Sequence, residues 1–349
     1  TSNLPDVAVV PSEHFNTVIY SGNGSTQSIT GLGFAPNFSW FKSRSNATSH
    51  NVYDSVRGGH KYLLPDLTAA EQTGANGFVS LDSDGFSLNN AGGGGEVNVS
   101  GRTYVAWNWK ANGSGSSNSS GDITSTVSAN ADAGFSIVKY TATGTTGHTV
   151  GHGLGAIPDA MLWKSLTTQS WNCFFPNTSM GATKGLQLDN TGAQGTVAHM
   201  NNTMPTSSVF SLGANGAASN AFADGVGQAY IVYCFKSIEG YSKFGSYIGN
   251  GNNDGVYVHL GFRPMFVIAK VATAGTHGWG MYNSKSKTYN YLGNVLQANG
   301  TNAEMTSEFL DFTSNGFKHR TSSTWNNGAN QTYIYMAFAE TPAKYSNAR

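Results

Sequence analysis

Two carboxylates separated by one residue are the closest approach of this sequence to a hydrolytic centre. Asp82 and Asp84 lie in the segment LDSDGFSL, and residues two apart on a strand share one face. Glycoside hydrolysis uses such a pair of carboxylates across the scissile bond. The matching segment SSVFSL has Ser207 and Ser208 at these places. Because Asp followed by Gly is typical of a turn, we predict a turn here and no catalytic residues in the chain.

Other residues that could bind a metal or attack a substrate lack the spacing that their chemistry requires. His148 and His152 lie four residues apart, but they flank a predicted hairpin turn instead of sharing one face of a helix. The oxygen-rich segments at 82–85 and 249–255 do not complete a calcium-binding loop. Neither a GxSxG nor an HExxH motif occurs. The sequence thus predicts a protein that is not an enzyme and has no cofactor and no metal site.

Three tryptophans are the candidates for ligand binding, with carbohydrate as the ligand class. Trp171, Trp279 and Trp325 lie outside the segments that repeat along the chain, so we predict that they can be exposed. The alternative is that they are core residues, since large aromatic side chains are mostly buried. The polar loop at 89–101 is one of several loops that differ between the copies and could hold a further site.

The composition favours an all-β protein and limits its partners. Gly accounts for 44 of the 349 residues, which suits tight turns between strands and disfavours helices. The 19 basic and 19 acidic residues give a formal net charge of zero, without the basic excess of a nucleic-acid-binding protein. No apolar run is long enough for a transmembrane helix, so we expect no nucleic acid partner and no membrane insertion. Cys173 and Cys234 are expected to be buried free thiols rather than a disulfide.

The chain carries an internal repeat with three copies. The segment GLGFAPNFSWFK at 31–42 returns as GLGAIPDAMLWK at 153–164 and as HLGFRPMFVIAK at 259–270. A proline and a lysine keep the same spacing in each copy, and the residues between them stay mostly apolar while their identities change. Core positions tolerate such changes, so the pattern predicts a turn that leads into a buried strand.

Two further features of the repeat predict its strands. The lysines that end the repeated segment, Lys42, Lys164 and Lys270, are expected to mark the point where the strand reaches solvent. Each copy then closes on an aromatic segment with apolar residues on both faces, which predicts a central strand covered on both sides. A hairpin is predicted near the start of each copy, and the one helix candidate is the segment at 66–74.

These features predict an all-β fold of three tandem antiparallel β-sandwich domains, jelly-roll or lectin-like, related by the internal repeat. The predicted divisions are an extended N-terminal arm at 1–13, a first repeat at 14–112, a flexible Gly/Ser-rich linker at 113–121, a second repeat at 122–238 and a third repeat at 239–349. Units of this length are expected to fold independently.

Four segments of the first repeat and the end of the third carry a resemblance. They are EHFNTVIYSGNGSTQSITGLGFAPNFSWFKSR, YDSVRGG, SDGFSL, YVAWNWKA and, near the end of the chain, YIYMAFAETP. Together they resemble a domain found in virion structural and tail-fibre-like proteins of marine tailed bacteriophages. The resemblance implies lectin-type β-sandwiches and offers no catalytic residue. The second repeat departs most, because it lacks YDSVRGG and the aspartates before its FSL segment.

The resemblance implies a non-enzymatic virion component of the particle surface or tail, such as a tail fibre, tail tip or capsid decoration. Its expected partners are copies of itself in a homo-oligomer, other virion proteins and a host-surface glycan. The alternative is a carbohydrate-binding lectin-like module or a glycan-active enzyme. We further expect the arm at 1–13 to dock on a neighbouring subunit, so that its deletion weakens assembly while the domains still fold.

Overall fold

The computed structural model of the chain describes residues 9–90, 96–213 and 225–342. Over these residues the fold is all-β, every named strand pair is antiparallel, and the only helical element is a 3-10 turn at Pro11–Glu13. Two of the sheets contain eight strands each, and one of them belongs to the second repeat and one to the third.

The first repeat forms a four-stranded sheet of order β1-β9-β3-β4, a three-stranded sheet of order β2-β8-β7 and the small pair β5-β6. Its strands are β1 Phe15–Ser21, β2 Gln27–Thr30, β3 Phe38–Ser43, β4 Asn51–Asp54, β5 Lys61–Tyr62, β6 Gln72–Thr73, β7 Phe78–Asp82, β8 Gly85–Leu88 and β9 Thr103–Trp109.

The second repeat, together with a strand from the expected linker, forms an eight-stranded sheet and the pair β13-β18. The order of the large sheet is β10-β11-β12-β19-β14-β15-β16-β17. The strands are β10 Ser116–Asn118, β11 Ser125–Asn130, β12 Phe135–Thr141, β13 Thr149–Gly151, β14 Ala160–Ser165, β15 Asn172–Phe174, β16 Lys184–Gln187, β17 Gly195–Thr196, β18 Val209–Ser211 and β19 Ala229–Phe235.

The third repeat forms one eight-stranded sheet of order β20-β27-β22-β23-β24-β25-β26-β21. Its two edge strands, β20 and β21, follow each other in the sequence. The strands are β20 Ser242–Ile248, β21 Tyr257–His259, β22 Phe262–Val271, β23 Gly280–Asn283, β24 Leu292–Gln297, β25 Met305–Thr313, β26 Gly316–His319 and β27 Thr332–Pro342.

The closing strands β9, β19 and β27 are central, as predicted, and each lies between two antiparallel neighbours. Alternate residues of each strand face two different cores. In β9, Val105, Trp107 and Trp109 belong to a large core, while Tyr104 and Ala106 belong to a smaller core made only by the first repeat. Strands β19 and β27 divide their side chains in the same way between the large core and a core of their own repeat.

The large core is shared by all three repeats, and we call it the shared core. At its centre, Trp109, Phe235 and Phe338 occupy equivalent positions of the three closing strands. Their rings meet edge to face in all three pairings, with centroid separations of 6.5, 5.3 and 5.9 Å. Such aromatic contacts add to the stabilisation from burial alone. The repeats are therefore joined through a common apolar interior as well as through the chain.

Backbone hydrogen bonds close the three repeats into a cycle, which we call the main-chain relay. The carbonyl two residues after the lysine of each repeated segment accepts a hydrogen bond from the preceding repeat, and the first repeat accepts from the third. The bonds run from Glu71 N to Leu166 O (2.9 Å), from Gln194 N to Ala272 O (2.7 Å) and from Glu304 N to Arg44 O (2.8 Å).

Two expectations for local structure are wrong. The segment at 66–74 is not a helix: it forms turns and the short strand β6, and Asp66 accepts a hydrogen bond from the backbone N–H of His50 (2.9 Å) instead of capping a helix. The expected hairpins are absent, because β2, β13 and β21 cross over to pair with β8, β18 and β26. In both places contacts with distant segments override the local pattern.

The expected linker and arm are also more ordered than their composition suggests. Residues 116–118 of the Gly/Ser-rich segment form β10, which pairs with β11, so this part is an edge strand and not a flexible linker. In the arm, Pro5 lies outside the described residues, but Val9 and Pro11 are buried and Val9 joins the shared core. The described part of the arm therefore packs on its own chain rather than extending from it.

Candidate ligand-binding site

Asp82 and Asp84 build a turn, as predicted. Asp84 accepts hydrogen bonds from the backbone N–H groups of Gly33 (2.7 Å) and Gly31 (3.0 Å), both of which have positive φ, and these bonds lower the pKa of the exposed carboxyl. Asp82 accepts hydrogen bonds from two serine hydroxyls at 2.7 and 2.6 Å. Asp84 thus shapes the start of the repeated segment, while Asp82 binds serines of the two strands that the turn connects.

The histidines and oxygen-rich segments are held by protein groups. His152 is buried with its Nε2 3.1 Å from the carbonyl of Thr206, while Nδ1 of His148 lies 2.9 Å from the hydroxyl of Thr143. Asp254 forms an ion pair with Lys318. Across the three described ranges, no group of three or more His, Cys, Asp or Glu side chains is placed to hold a metal ion. Cys173 and Cys234 are buried free thiols, as predicted.

The expected exposure of Trp171 and Trp279 is wrong, because each side chain is only 1% exposed. Both donate across a boundary between repeats: the Trp171 indole N–H bonds to Leu64 O and that of Trp279 to Gln187 O, each at 2.9 Å. They therefore connect neighbouring repeats and cannot form a sugar platform.

His50 takes the same place in the first repeat and completes what we call the side-chain relay. Its Nδ1 accepts a hydrogen bond from the Trp40 indole, so Nε2 carries the proton and donates to Gln297 O at 2.8 Å. Burial first, and then the charge of Lys42, lower the pKa of His50 to about 3, so the ring is neutral. The side-chain relay thus donates from each repeat to the preceding one, opposite in direction to the main-chain relay.

Trp325 is half-buried and is the one tryptophan of the three with substantial exposure. Its indole N–H donates to Gly278 O at 3.1 Å, and its ring lies parallel to that of His277 with centroids 6.1 Å apart. These contacts hold it within the third repeat. Whether it binds a ligand stays a prediction.

The lysines of the repeated segment do not reach solvent. Lys42, Lys164 and Lys270 are each at most 1% exposed, and each ammonium donates to the carbonyl of the next residue and to a carbonyl a few residues on. Burial lowers the pKa of all three to about 8, and for Lys42 and Lys164 a nearby aspartate partly opposes the shift. The lysines stabilise the chain reversal after the strand by pairing its carbonyl groups.

The segment YDSVRGG supplies a buried ion pair within the first repeat, at its boundary with the second. Arg57 and Asp54 have fully buried side chains 2.5 Å apart, and the hydroxyl of Tyr233 donates to Asp54 at 2.7 Å. Burial acts to lower the Arg57 pKa, but Asp54 raises it overall. Through the hydrogen bond from Tyr233, this buried salt bridge holds the second repeat against the first, and its charges are not exposed for chemistry.

A cleft of about 430 Å³, which we call cleft A, lies where the first repeat meets the third. Its lining includes Asn51 at the start of β4, Tyr62 in β5, Thr48 and Ser49 from the loop before β4, and Thr301 from the loop after β24. The Arg44–Glu304 ion pair joins these two repeats, at 2.7 Å.

Two residues in the lining of cleft A each carry a buried oxygen atom without a hydrogen-bond partner. The atoms are Oγ1 of Thr48 and Oδ1 of Asn51, whose amide nitrogen donates weakly to Ser49 O at 3.4 Å. Buried polar atoms are normally paired, so an unpaired one calls for an explanation. Tyr62 adds a half-buried aromatic ring that rests on Tyr53, with centroids 5.7 Å apart. Cleft A therefore has an aromatic side chain in its lining, while the two unpaired oxygens have almost no accessible surface.

The second repeat has a cleft at the equivalent place, cleft B, of about 250 Å³. Asn172 stands where Asn51 stands in cleft A, but Gly185 replaces the aromatic Tyr62. Within cleft B, Asn190 donates to Gln187. Asn172 donates to Ser170 O at 3.1 Å, as Asn51 donates to Ser49 O in the first repeat. Cleft B is thus a natural comparison for cleft A.

Sequence patterns missed both relays and cleft A. The relay residues stand eight, seven and nine positions after their lysines, so a repeat search at fixed spacing does not align His50, Trp171 and Trp279. Cleft A joins residues about 250 positions apart along the chain, such as Asn51 and Thr301. The one available signal was the Asn that follows both His50 and Trp171.

Comparison with known proteins gives one match. A family model described as a domain of unknown function (DUF7483) matches residues 10–342, which include all three repeats. No curated protein matches, and no solved structure matches. In the part of the chain that the structure describes, no helix has the length and apolar character needed to cross a membrane.

Proposed function

The chain belongs to the DUF7483 family, and from the way its three repeats close on one another we propose that it is a non-enzymatic structural protein of a bacteriophage particle, located at the particle surface or tail. In this proposal the protein acts through assembly with copies of itself and with other virion proteins. Host-surface attachment is a second part of the same role.

The observation that carries the proposal is the cyclic closure of the repeats. Both relays and the shared core bind the first repeat to the third, although the two are distant in the sequence. A chain built in this way forms one rigid body with few charges, which suits a component that must withstand exposure outside a cell. The resemblance of the first repeat to domains of marine phage virion proteins supports the same assignment.

The finer architecture belongs to this proposal. We infer that each repeat is a β-sandwich unit, with the sheet of the closing strand on one side of its own small core. The support is that each of the three smaller cores contains residues of a single repeat. The three units then share the large core on their opposite faces.

Carbohydrate binding is the second candidate function, and cleft A is the observation that favours it. The cleft has a volume of about 430 Å³ and the aromatic side chain of Tyr62 in its lining, both of which are usual in small-molecule sites. A lectin-like role at the particle surface would combine both candidates.

The particle assignment is tested on virions of the phage that encodes the chain. Particles purified by density gradient are analysed by quantitative mass spectrometry, and antibody raised against the chain is located by immunogold electron microscopy. We expect the chain at a fixed copy number per particle and label on the tail or capsid surface. Recovery of the chain only in the soluble lysate, with none in the particles, would refute the proposal.

A further inference from the structure

We propose that the contact between the first and third repeats is acid-sensitive and opens when the ring of His50 takes up a second proton. The side-chain relay has a tryptophan at the other two boundaries between repeats, and an indole takes up no proton in this pH range. The boundary with the histidine is also the one that no peptide bond crosses directly. The inference goes beyond the proposed function and does not rest on the particle assignment.

Both ring nitrogens of His50 are used in the closed contact. Nδ1 accepts from the indole N–H of Trp40 at 2.8 Å, and Nε2 donates to Gln297 O of the third repeat at 2.8 Å. A second proton can bind only at Nδ1, where it would point at the indole N–H and set two donors against each other. Protonation therefore breaks the bond to Trp40 and leaves a cation with no exposed surface. The closed contact thus accepts only the neutral ring.

Burial and Lys42 further disfavour the cation of His50. Together they lower its pKa from 6.5 to about 3, although the carbonyl groups of Gln297 and Gly300 act in the opposite direction. When the contact opens, the ring meets water and its pKa returns towards 6.5. Between pH 3 and 6.5 the open form then binds more protons than the closed form, so a falling pH favours opening. The contribution of His50 to the contact is complete only above pH 6.5.

The aspartate beside His50 has the opposite effect, and it has a counterpart at another boundary. Asp66 accepts a hydrogen bond from the backbone N–H of His50 at 2.9 Å, and burial raises its pKa, so acid favours the closed form through this group. Asp189 accepts from the backbone N–H of Trp171 at 2.8 Å, and burial raises its pKa as well. The two aspartates act alike, so a difference between their boundaries reports His50.

The boundary between the second and third repeats has a relay without titratable groups. There Asn299 takes the place of the aspartates and accepts from the backbone N–H of Trp279 at 2.8 Å. At the first–third boundary, the third repeat also contributes Glu304, which is paired with Arg44 at 2.7 Å. Any pH dependence that comes from this ion pair persists when His50 is replaced, so a variant at position 50 separates the two sources.

The test follows three equivalent backbone amides in the full-length chain. They are the donors of the main-chain relay, Glu71, Gln194 and Glu304, one at each boundary. Their hydrogen exchange is measured by NMR at pH 7.5 and pH 5.0 and is expressed as protection relative to the intrinsic exchange rate at each pH. We expect the protection of Glu304 to fall about thirtyfold, the factor for a group with a pKa of 6.5 when open that stays neutral when closed. Protection of Glu71 and Gln194 should change less than threefold.

His50→Gln separates the titration of the ring from its hydrogen bonds. The glutamine amide has an acceptor for the Trp40 indole and a donor for Gln297 O, but it takes up no proton. We expect the protection of Glu304 in this variant to agree within threefold at the two pH values. The double variant Trp40→Leu, His50→Trp gives the first repeat the Leu162–Trp171 pair of the second and should also abolish the fall.

His319→Phe controls for the other buried histidines. His319 is 1% exposed, contacts the rings of Tyr247 and Phe317 within the third repeat, and has its pKa lowered by burial to about 3. This variant should keep the thirtyfold fall at Glu304, because its relay is intact.

Two outcomes would overturn the inference. Equal falls at all three amides of the wild type would show that acid weakens the whole fold and not one boundary, and this comparison needs no variant. An undiminished fall at Glu304 in folded His50→Gln would assign the acid sensitivity to another group. Neither outcome bears on the particle assignment, which is decided by the composition of purified virions.

Discussion

At the scale of single residues, the three buried lysines show how a polar group can be part of a core. Each ammonium is held by carbonyl groups at the end of the strand that follows the repeated turn. Such a cation loses its hydration, and the cost appears as a pKa lowered from 10.5 to about 8. The lysine in each repeat is thus long enough to place an N–H donor group at the buried carbonyls after the strand, although burial there disfavours its charge.

The lowered lysine pKa predicts a dependence of stability on pH. Between pH 8 and 10.5 each of these lysines binds more protons in the unfolded chain than in the folded chain, so each contributes a rise in the free energy of unfolding with pH. The buried thiols of Cys173 and Cys234, whose pKa values are raised by burial, contribute a smaller decrease in the same window. We expect an increase of about 1 kcal/mol per lysine between pH 8 and 9.5. Urea unfolding of the wild type and of Lys164→Met at several pH values measures it.

Lys164→Met should remove the contribution of one lysine, so its free energy of unfolding should rise by about 1 kcal/mol less than that of the wild type between pH 8 and 9.5, while the other two lysines and both cysteines contribute as before. The measurement stays below pH 10, where the buried tyrosines, whose pKa values are raised by burial, begin to act in the opposite direction. Identical pH slopes in the two proteins would contradict the explanation.

At the scale of elements, the close approach of two strands explains why position 85 is a glycine, which the sequence alone predicts only as a turn residue. Gly85 begins β8, and a Cβ there would lie 1.8 Å from the carbonyl oxygen of Ile29 in β2. Gly316 stands at the same place in the third repeat, 2.1 Å from Val258 O by the same measure. The pairing that replaces the expected hairpins therefore depends on these two glycines.

Gly85→Ala should consequently lower the free energy of unfolding by about 3 kcal/mol or more, because backbone would have to move to admit the methyl group. Gly59→Ala is the control: nothing lies within 4 Å of its added Cβ, and we expect a change within about 0.5 kcal/mol. Thermal and urea unfolding of both variants provide the comparison. Equal stability of the two variants would disprove the steric argument.

The strands and their buried faces could be predicted from the sequence, whereas their partners could not. The alternation in β9 separates Trp107 and Trp109 from Tyr104 and Ala106, and the structure confirms it. Strand pairing and cleft A depend on contacts between distant segments, for which a single sequence carries no periodic signal. Trp171 illustrates the limit: its place outside the repeated segments predicted that it can be exposed, but it is buried and its indole donates to Leu64 O, 107 positions away.

At the scale of the whole molecule, the shared core predicts that the repeats are not independent. In an isolated chain of residues 122–238, the side chains of Ile137, Tyr233 and Phe235 would lose the cover of the other repeats. We expect this fragment to bind a hydrophobic dye or to aggregate, and the full chain to unfold in one transition. A monomeric fragment with the native thermal stability would contradict this expectation.

The side-chain relay predicts that two tryptophans contribute differently to the free energy of unfolding, although each donates a hydrogen bond to a backbone carbonyl. Trp171→Phe leaves Leu64 O without its hydrogen-bond donor where the first and second repeats meet. We expect this to lower the free energy of unfolding by about 2 kcal/mol. Trp325→Phe removes a bond within the third repeat from a half-buried side chain, and we expect about 1 kcal/mol or less. Chemical unfolding of both variants decides between them; equal losses would count against the special position of Trp171.

The contact between the first and third repeats has a mechanical consequence. No peptide bond crosses it directly, yet it joins Phe15 at the start of β1 to Phe338 in β27, with ring centroids 4.9 Å apart, and adds the Arg44–Glu304 ion pair. A pulling force applied between the two ends of the chain therefore acts first on this noncovalent contact, and only after the contact opens does it act on the covalent connections between repeats. We therefore expect the force at which the molecule extends to depend on how strongly the first and third repeats bind each other, and not on the length of the chain.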